Sequence, residues 1–494
     1  MREILEAQQT LGQVPIEDIE IDSSSRDEMP AVLRGLKFIF CNQGLRSQIF
    51  ALIDEQVLKS SVGKAPSGTD SESGKTIDPH TGRPGMSLWM ALVFALVKQA
   101  LNCDFDRLCD EANQHKTLRI MLGVSPMSNR QFHYRTLARN VKLFSAELLE
   151  KINRLVAEAG HRLAGWQPGD PIKARCDTWV VETNVEYPTD YRLLWFALVQ
   201  LVKTAVGLSY EYHVVGWRKA GYWQKRAHRG YRGLRREYRK QSRTERVRDF
   251  ARVARAILKR GQKLEARLEA KGAAAEKVES LRKWVRHAAR QLDQMERRLL
   301  REEKIPNGEK VYSFLEEYTR WVSKGKAGTP VELGVPVAIV ESRDQFVMEC
   351  KILWTEQDVE VTGELLKKAK RHWPEMNVCS FDKGFSSVQN IKNAAGVIET
   401  PVLPKRGKLS KADREREDGE AFKEARKQHP GVESAINRLE HHGLDRVREK
   451  GKEVFEKVVW RAILAANVHR IGKLLNAQEQ AQRKRQAKRR PKAA

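Results

Sequence analysis

Cysteine is scarce and unpatterned in this chain. Its six residues (Cys41, Cys103, Cys109, Cys176, Cys350 and Cys379) include no Cys-x-x-Cys pair and no histidine partner at finger spacing. Neither a zinc module nor a disulfide framework is therefore expected, and a reducing compartment is the default. Long apolar runs are missing too. The most apolar stretch, Leu88 to Val97, ends after ten residues at Lys98, whereas a bilayer span needs about 20. The opening residues, MREILEAQQTLG, read as an amphipathic helix carrying acids rather than as an apolar leader. The expectation is a cytoplasmic protein with no membrane partner. Acids are the third shortage: 64 Asp and Glu stand against 90 Lys and Arg, a formal charge of +26. A surplus of this size is the footprint of a protein that meets phosphates, so nucleic acid is the expected partner and nucleoid association the expected location.

With 494 residues the chain has room for about three domain-sized units. Residues 1–60 read as an N-terminal helical segment. Residues 61–87, rich in Ser, Gly, Pro and charge, read as a linker or exposed loop. From 88 to 165 the pattern is helical: an apolar helix near 88–101, a second opening at Asp104, a break at Gly123 and a long helix capped by Ser128. The pair about Gly123 has the layout of a helix-turn-helix, with Arg130, Gln131, His133, Tyr134 and Arg135 on the first turns of its second helix. That makes 88–165 a candidate DNA-binding domain, with an ordinary helix pair as the other reading.

The chain changes character at Ala174. ARCDTWVV is a buried-strand run, followed by the helix-like LLWFALVQLVKTAV. After a long basic interruption come two strands, 331–340 and 346–352, joined as a hairpin by ESRDQ. A helix (357–372), a strand (377–381), a helix (386–394), a strand (398–403) and a helix opening near Pro430 complete the order. This is a mixed sheet covered by helices, an α+β arrangement, spread over 170–216 and 326–475.

The interruption, 217–305, has its own periodicity. Apolar residues fall at 278, 281, 285, 288, 292, 295 and 299, and an earlier stretch repeats the spacing at Val247, Phe250, Ala254, Ile257, Leu264 and Leu268. With KGAAA between them, the two arms are expected to fold back as an antiparallel helical hairpin, whose seam serves internal packing or a second subunit. Just ahead of it, Trp217 to Arg248 holds thirteen Lys or Arg and two acids, interleaved with Trp217, Tyr222, Trp223, Tyr231 and Tyr238. Arg218, Lys219, Trp223, Lys225, Arg226, Arg229, Arg232, Arg235 and Arg236 are the expected DNA contacts, cations on phosphates and rings free to stack on exposed bases. The last fifteen residues add seven cations and no acid, so 476–494 reads as a disordered basic tail.

Two aspartates stand out. Asp177 lies within an apolar strand, where a charge is costly unless paired or bound to metal. Asp382 ends the strand NVCSF and is followed by Lys383 and Gly384, so it projects from the carboxyl edge of the sheet. If the two strands are neighbours, both acids face one crevice, and close carboxylates need a shared proton or divalent cations.

The stretch from Asp177-Thr-Trp-Val-Val-Glu182 to Asp190, the Phe381-Asp382-Lys-Gly-Phe385 turn, and Val432-Glu433-Ser-Ala-Ile-Asn-Arg-Leu439 leading to Gly443-Leu-Asp-Arg446 and Lys450-Gly451 resemble bacterial insertion-sequence transposases of the DDE type. The resemblance covers about residues 80–475. It implies an RNase H-like catalytic domain, with the helical N-terminal domain and the hairpin as additions to it. It implies cleavage and strand transfer of an insertion-sequence element, using two Mg²⁺ or Mn²⁺ ions held by Asp177, Asp382 and a glutamate. It implies double-stranded DNA partners, the terminal inverted repeats and the target, and a homo-oligomer, a dimer on DNA. In such a site Asp177 bridges both ions while Asp382 and the glutamate hold one each.

The third acid is a choice. The family places a basic residue seven positions after the catalytic glutamate, and here that position is Glu440. On one helix 433 and 440 share a face about 10.5 Å apart along the axis, so only one can reach the ions. The Val-Glu-x-x-Ile-x-x-Leu match favours Glu433, with Glu440 as the alternative. Arg438, Arg446 and Arg448 are expected phosphate or terminal-repeat contacts. Glu182 falls on the opposite strand face from Asp177, His441 and His442 are expected at the surface, and PKRGK at 404–408 is either a clamp on the DNA backbone or a basic loop. An RNase H-like nuclease that cuts without transfer, and a DNA-binding relic with a dead site, are the other readings.

Overall fold

The computed structural model describes residues 4–5, 12–22, 24–25, 27–62, 85–125, 127–323 and 331–489. Most of the expected 61–87 linker, residues 63–84, and the last five residues of the expected tail lie outside them. The chain divides into two compact units, 1–184 with 334–494, and 185–333.

The first unit opens with helices α1 (Glu28–Cys41), α2 (Gln43–Val62), α3 (Leu88–Ala100), α4 (Phe105–Gln114), α5 (Lys116–Met121), α6 (Tyr134–Val141) and α7 (Ala146–Leu163). Asp104 caps α4 as its position predicts, accepting from the Arg107 amide at 2.8 Å. The long helix expected from Ser128 does not form, and the described residues between Leu122 and His133 run as an irregular connection. The buried Arg119 is the reason: its guanidinium donates to the carbonyls of Ala112, Asn113, Ser128 and Arg130, and Asn113 bonds both the amide and the carbonyl of Phe132. These side-chain partners satisfy the backbone that a helix would otherwise pair. A twelve-residue connection between α5 and α6 is not the turn of about three or four residues of a helix-turn-helix, so that expectation is corrected.

Strand β1 (Ile172–Glu182) follows. The second unit holds α8 (Asp190–Glu211), α9 (Ala220–Arg236), α10 (Lys240–Ala270), α11 (Ala275–Leu300) and a short strand β2 (Arg320–Ser323). Its core takes Leu194, Leu198 and Leu201 of α8 together with Val247, Phe250 and Ile257 of α10 and Leu281 and Leu292 of α11. The sequence reading assigned α8 to the sheet domain; it belongs instead with the inserted helices, because its apolar face supplies part of their core. Among the described residues α8 is also the one unbroken helix long and apolar enough to cross a membrane, and this packing accounts for its composition. Arg255 with Glu296 at 2.5 Å, and Arg282 with Glu265 and Glu269 at 2.7 Å each, tie the two long arms.

The first unit resumes with β3 (Val331–Ser342), which enters it at Gly334, then β4 (Val347–Ile352), α12 (Asp358–His372), β5 (Met376–Phe381), α13 (Val388–Ala395), β6 (Thr400–Val402), α14 (Lys411–Asp418), α15 (Glu420–Gln428), α16 (Gly431–Leu439) and α17 (Lys452–Arg489). The sheet order here is β4, β3, β1, β5, β6. β1 runs antiparallel to β3, with Asp177 opposite Ile339, and parallel to β5, with Cys176 opposite Phe381. This is a mixed sheet flanked by helices. α17 packs on α1, α3 and α7, so the N-terminal helices share a compact unit with the sheet rather than standing as separate domains. The expected disordered tail is helical as far as Arg489.

Candidate active site and nucleic-acid surface

β1 and β5 are parallel neighbours, which brings Asp177 and Asp382 to the same end of the sheet. Asp177 is half-buried and accepts from the Thr178 amide at 2.7 Å. Burial lifts its carboxyl from the ordinary 3.8 to about 6; the Thr178 bond opposes this, and the negative charges of Asp382, Asp358 and Glu433 add to it. Acids from the turn after β5, α12 and α16 thus act on Asp177 of β1. Asp358 escaped the sequence reading, because an acid in the first turn of a helix reads as a complement to the helix dipole.

The turn carrying Asp382 is braced from two sides. Arg426 of α15 donates to the Phe381 carbonyl at 3.0 Å and stands 3.8 Å from the Asp382 carboxylate. Arg406, from the PKRGK run, donates through Nε to the Lys383 carbonyl at 2.6 Å and through Nη2 to the Gly384 carbonyl at 2.7 Å. The run therefore clamps the protein's own backbone, neither of the roles expected from sequence. Its neighbour Lys405 pairs with Asp413.

Helix α16 is positioned from β1. Arg175 pairs with the fully buried Glu341 at 2.6 Å and donates to the Gln428 carbonyl at 3.2 Å, just ahead of α16. Arg438, expected on DNA, instead pairs with the other oxygen of Glu341 at 2.8 Å and donates to the Gln345 carbonyl. A buried carboxylate is tolerated here because two guanidiniums neutralise it.

Glu433 and Glu440 follow one another on a continuous helical run. α16 ends at Leu439, but Glu440 keeps helical backbone angles and its amide still bonds the Ile436 carbonyl, and the break comes beyond it, at His442 and at Gly443 with φ +90°. Beyond it, the Val447 amide bonds the Glu182 carbonyl at 2.8 Å and the Glu182 amide bonds the Asp445 carbonyl at 3.2 Å, so 445–447 runs beside the end of β1. Arg446 is half-buried there and Arg448 is exposed. His441 is exposed, but His442 is buried, contrary to expectation, with Nδ1 2.9 Å from the Ala100 carbonyl and Nε2 3.2 Å from Nδ1 of His469.

Carboxylate oxygens are the donor type that hard cations such as Mg²⁺ and Mn²⁺ take, so the Asp177 neighbourhood fits such ions chemically. Among the described residues, the one group of three potential ligand atoms within 4.8 Å of one another is elsewhere: Glu150, Glu349 and His372. Lys368 sits 2.8 Å from Glu150 and 3.3 Å from Glu349. An internal ammonium already supplies the positive charge there, which makes the group an ionic tie among α7, β4 and α12.

In the second unit, Arg218, Lys219, Lys225, Arg226, Arg229, Arg232, Arg235 and Arg236 are all exposed. Lys225, Arg229, Arg232 and Arg236 follow helical spacing along α9 and, with Arg246 of α10, line one groove. The aromatic residues behave otherwise. Trp217 and Tyr231 are buried, Tyr231 stacking on Trp195 at 4.7 Å, and Trp223 packs on the helical core with Arg260 over its ring at 4.7 Å. Tyr222 and Tyr238 are exposed, and Arg226 donates to the Tyr222 hydroxyl at 2.8 Å. The segment offers cations outward and keeps most of its rings for packing, which corrects the expected stacking role of Trp223. No family model, no curated protein and no solved structure matches the chain.

Proposed function

We propose that the chain is a DNA strand-transfer enzyme of the DDE transposase type, with an RNase H-like sheet and a metal centre held by Asp177, Asp382 and Glu433. The observation that carries this reading is the register of β1 and β5: Cys176 lies opposite Phe381, so Asp177 and Asp382 follow side by side on neighbouring parallel strands, where burial and the charges of Asp382, Asp358 and Glu433 raise the Asp177 carboxyl. Repulsion of this kind is tolerated where divalent cations neutralise it. When bound, Mg²⁺ or Mn²⁺ would lower the pKa of an attacking water or 3′-hydroxyl and stabilise the leaving oxygen.

The chain's own residues supply the positioning. Asp177 offers its carboxylate from the centre of the sheet, Asp382 from a turn clamped by Arg406 and Arg426, and Glu433 from a helix whose start is tied to Arg175. Asp358 stands as a fourth acid beside the turn: a β-carbon on Gly384 would lie 3.0 Å from its Oδ2. The exposed cations of α9 give a sequence-independent hold on duplex phosphates, with the protein acting as a dimer on DNA. Nucleoid association follows from that hold.

The test incubates purified protein and Mn²⁺ with DNA ending in the inverted repeats expected to flank its gene. Strand cleavage and joining are expected for the wild type and not for Asp177→Asn or Asp382→Asn. Cleavage that survives Asp177→Asn overturns the mechanism, and cleavage without joining reduces the enzyme to a nuclease.

A further inference from the structure

The second unit contains a cleft of about 350 Å³, separate from the arginine groove of α9 but one turn of α10 from it, within the roughly 300–1,000 Å³ of small-molecule sites. One wall is aromatic. The Trp321 ring lies 5.5 Å from Tyr312, nearly parallel at 28°, and 5.8 Å from Tyr187. Tyr187 is 62% exposed, so its ring is open to an incoming group. The other wall is cationic: Arg243, Arg298 and Lys310 outnumber Asp190, which pairs with Arg298 at 3.1 Å. The Nε of Arg243 is buried and has no hydrogen-bond partner among the described residues, a donor that an incoming acceptor would satisfy.

We propose that this cleft takes one unpaired nucleotide of a DNA strand, its base against Trp321 and Tyr187 and its phosphate on Arg243. The chemistry selects a nucleotide over other anions because flat rings and guanidiniums face one space: rings attract any base face, and guanidinium binds phosphate. The location selects DNA. Arg243 lies on α10 one turn before Arg246, which lines the α9 groove, so a strand held on that groove passes close to the cleft. In the basic segment Trp217, Trp223 and Tyr231 are committed to the core, and this wall sets a pair of rings beside a guanidinium, where a base can stack while its phosphate is held. The inference rests on the nucleic-acid reading but not on the metal centre.

The test uses the full chain in EDTA, where no cleavage occurs, and two duplexes: one with a single unpaired 2-aminopurine and one fully paired. Quenching of the unpaired base and a preference of about fivefold or more for its duplex are expected, the gain of stacking one base. Trp321→Ala and Tyr187→Ala should abolish both while leaving paired-duplex affinity unchanged, and Trp321→Phe should retain them. If Trp321→Ala fails to fold, the exposed Tyr187→Ala decides. Equal binding of the two duplexes, or full quenching in Tyr187→Ala, overturns the cleft alone. Failure of both duplexes to bind overturns the cleft and the DNA reading together.

Discussion

Arg175 passes through the space a side chain on Gly431 would occupy: a β-carbon there would stand 1.9 Å from its Nη1. The first residue of α16 is thus glycine because the guanidinium must reach both Glu341 and the Gln428 carbonyl. Gly431→Ala is expected to push the two apart, costing about 1–3 kcal/mol as an overpacking change and shifting Glu433. Arg175→Ala is expected to be worse, about 3–5 kcal/mol, since the buried Glu341 loses one of two partners. Thermal melts check both. A Gly431→Ala protein with wild-type stability and activity would remove this account of how α16 is set.

Asp177 ties pH to stability. Its carboxyl is raised to about 6, so the folded chain holds that proton more tightly than the unfolded one. The stabilisation is fully present below about pH 4 and is lost as pH rises through 6. Without added metal, Asp177→Asn should therefore melt a few degrees above the wild type at pH 7.5, with the gap closing near pH 4. Mg²⁺ should raise the melting temperature of the wild type and not of the variant. The neutral buried histidines His161, His429 and His442, held near 4 by burial, act in the opposite direction but equally in both proteins. Identical melting temperatures at pH 7.5 would contradict the proposed strain.

Arg406 is exposed and spends two donors on the turn that carries Asp382. Arg406→Ala should leave the melting temperature within about a degree, as exposed substitutions usually do, yet lower kcat about tenfold or more with little change in DNA affinity. Arg406→Lys, unable to form the two-pronged bond, should recover only part. A loss confined to DNA affinity would instead make Arg406 a DNA-binding residue.

Replacing Arg229, Arg232 or Arg236 by alanine should weaken binding to any duplex. The slope of log affinity against log salt should fall by about 0.9 for each phosphate that the variant leaves unneutralised. Trp223→Ala should act through packing, lowering the melting temperature. An unchanged salt slope in the triple arginine variant would place DNA elsewhere.

The mixed sheet was legible because β1, β3 and β5 are short runs rich in apolar and β-branched residues and the intervening helices keep their period. Asp177 and Asp382 were legible for a related reason: each is a charge attached to such a run. The connection at 122–133 was not, since its conformation depends on Arg119 and Asn113 reaching back to it from earlier helices. Arg438 and Arg406 looked like free cations because nothing local names Glu341 or the Lys383 carbonyl as their partners. The wider turn after Glu440 was hidden for the same reason, since nothing local announces that the helix breaks at His442 and Gly443.

Mn²⁺ binding followed by electron paramagnetic resonance tests the central claim most directly. The wild type should bind Mn²⁺, with affinity falling tenfold or more in Asp177→Asn, Asp382→Asn and Glu433→Gln and holding in Glu440→Gln and Glu349→Gln. Binding that persists in Asp177→Asn, or that disappears only in Glu349→Gln, would contradict the assignment of the metal centre.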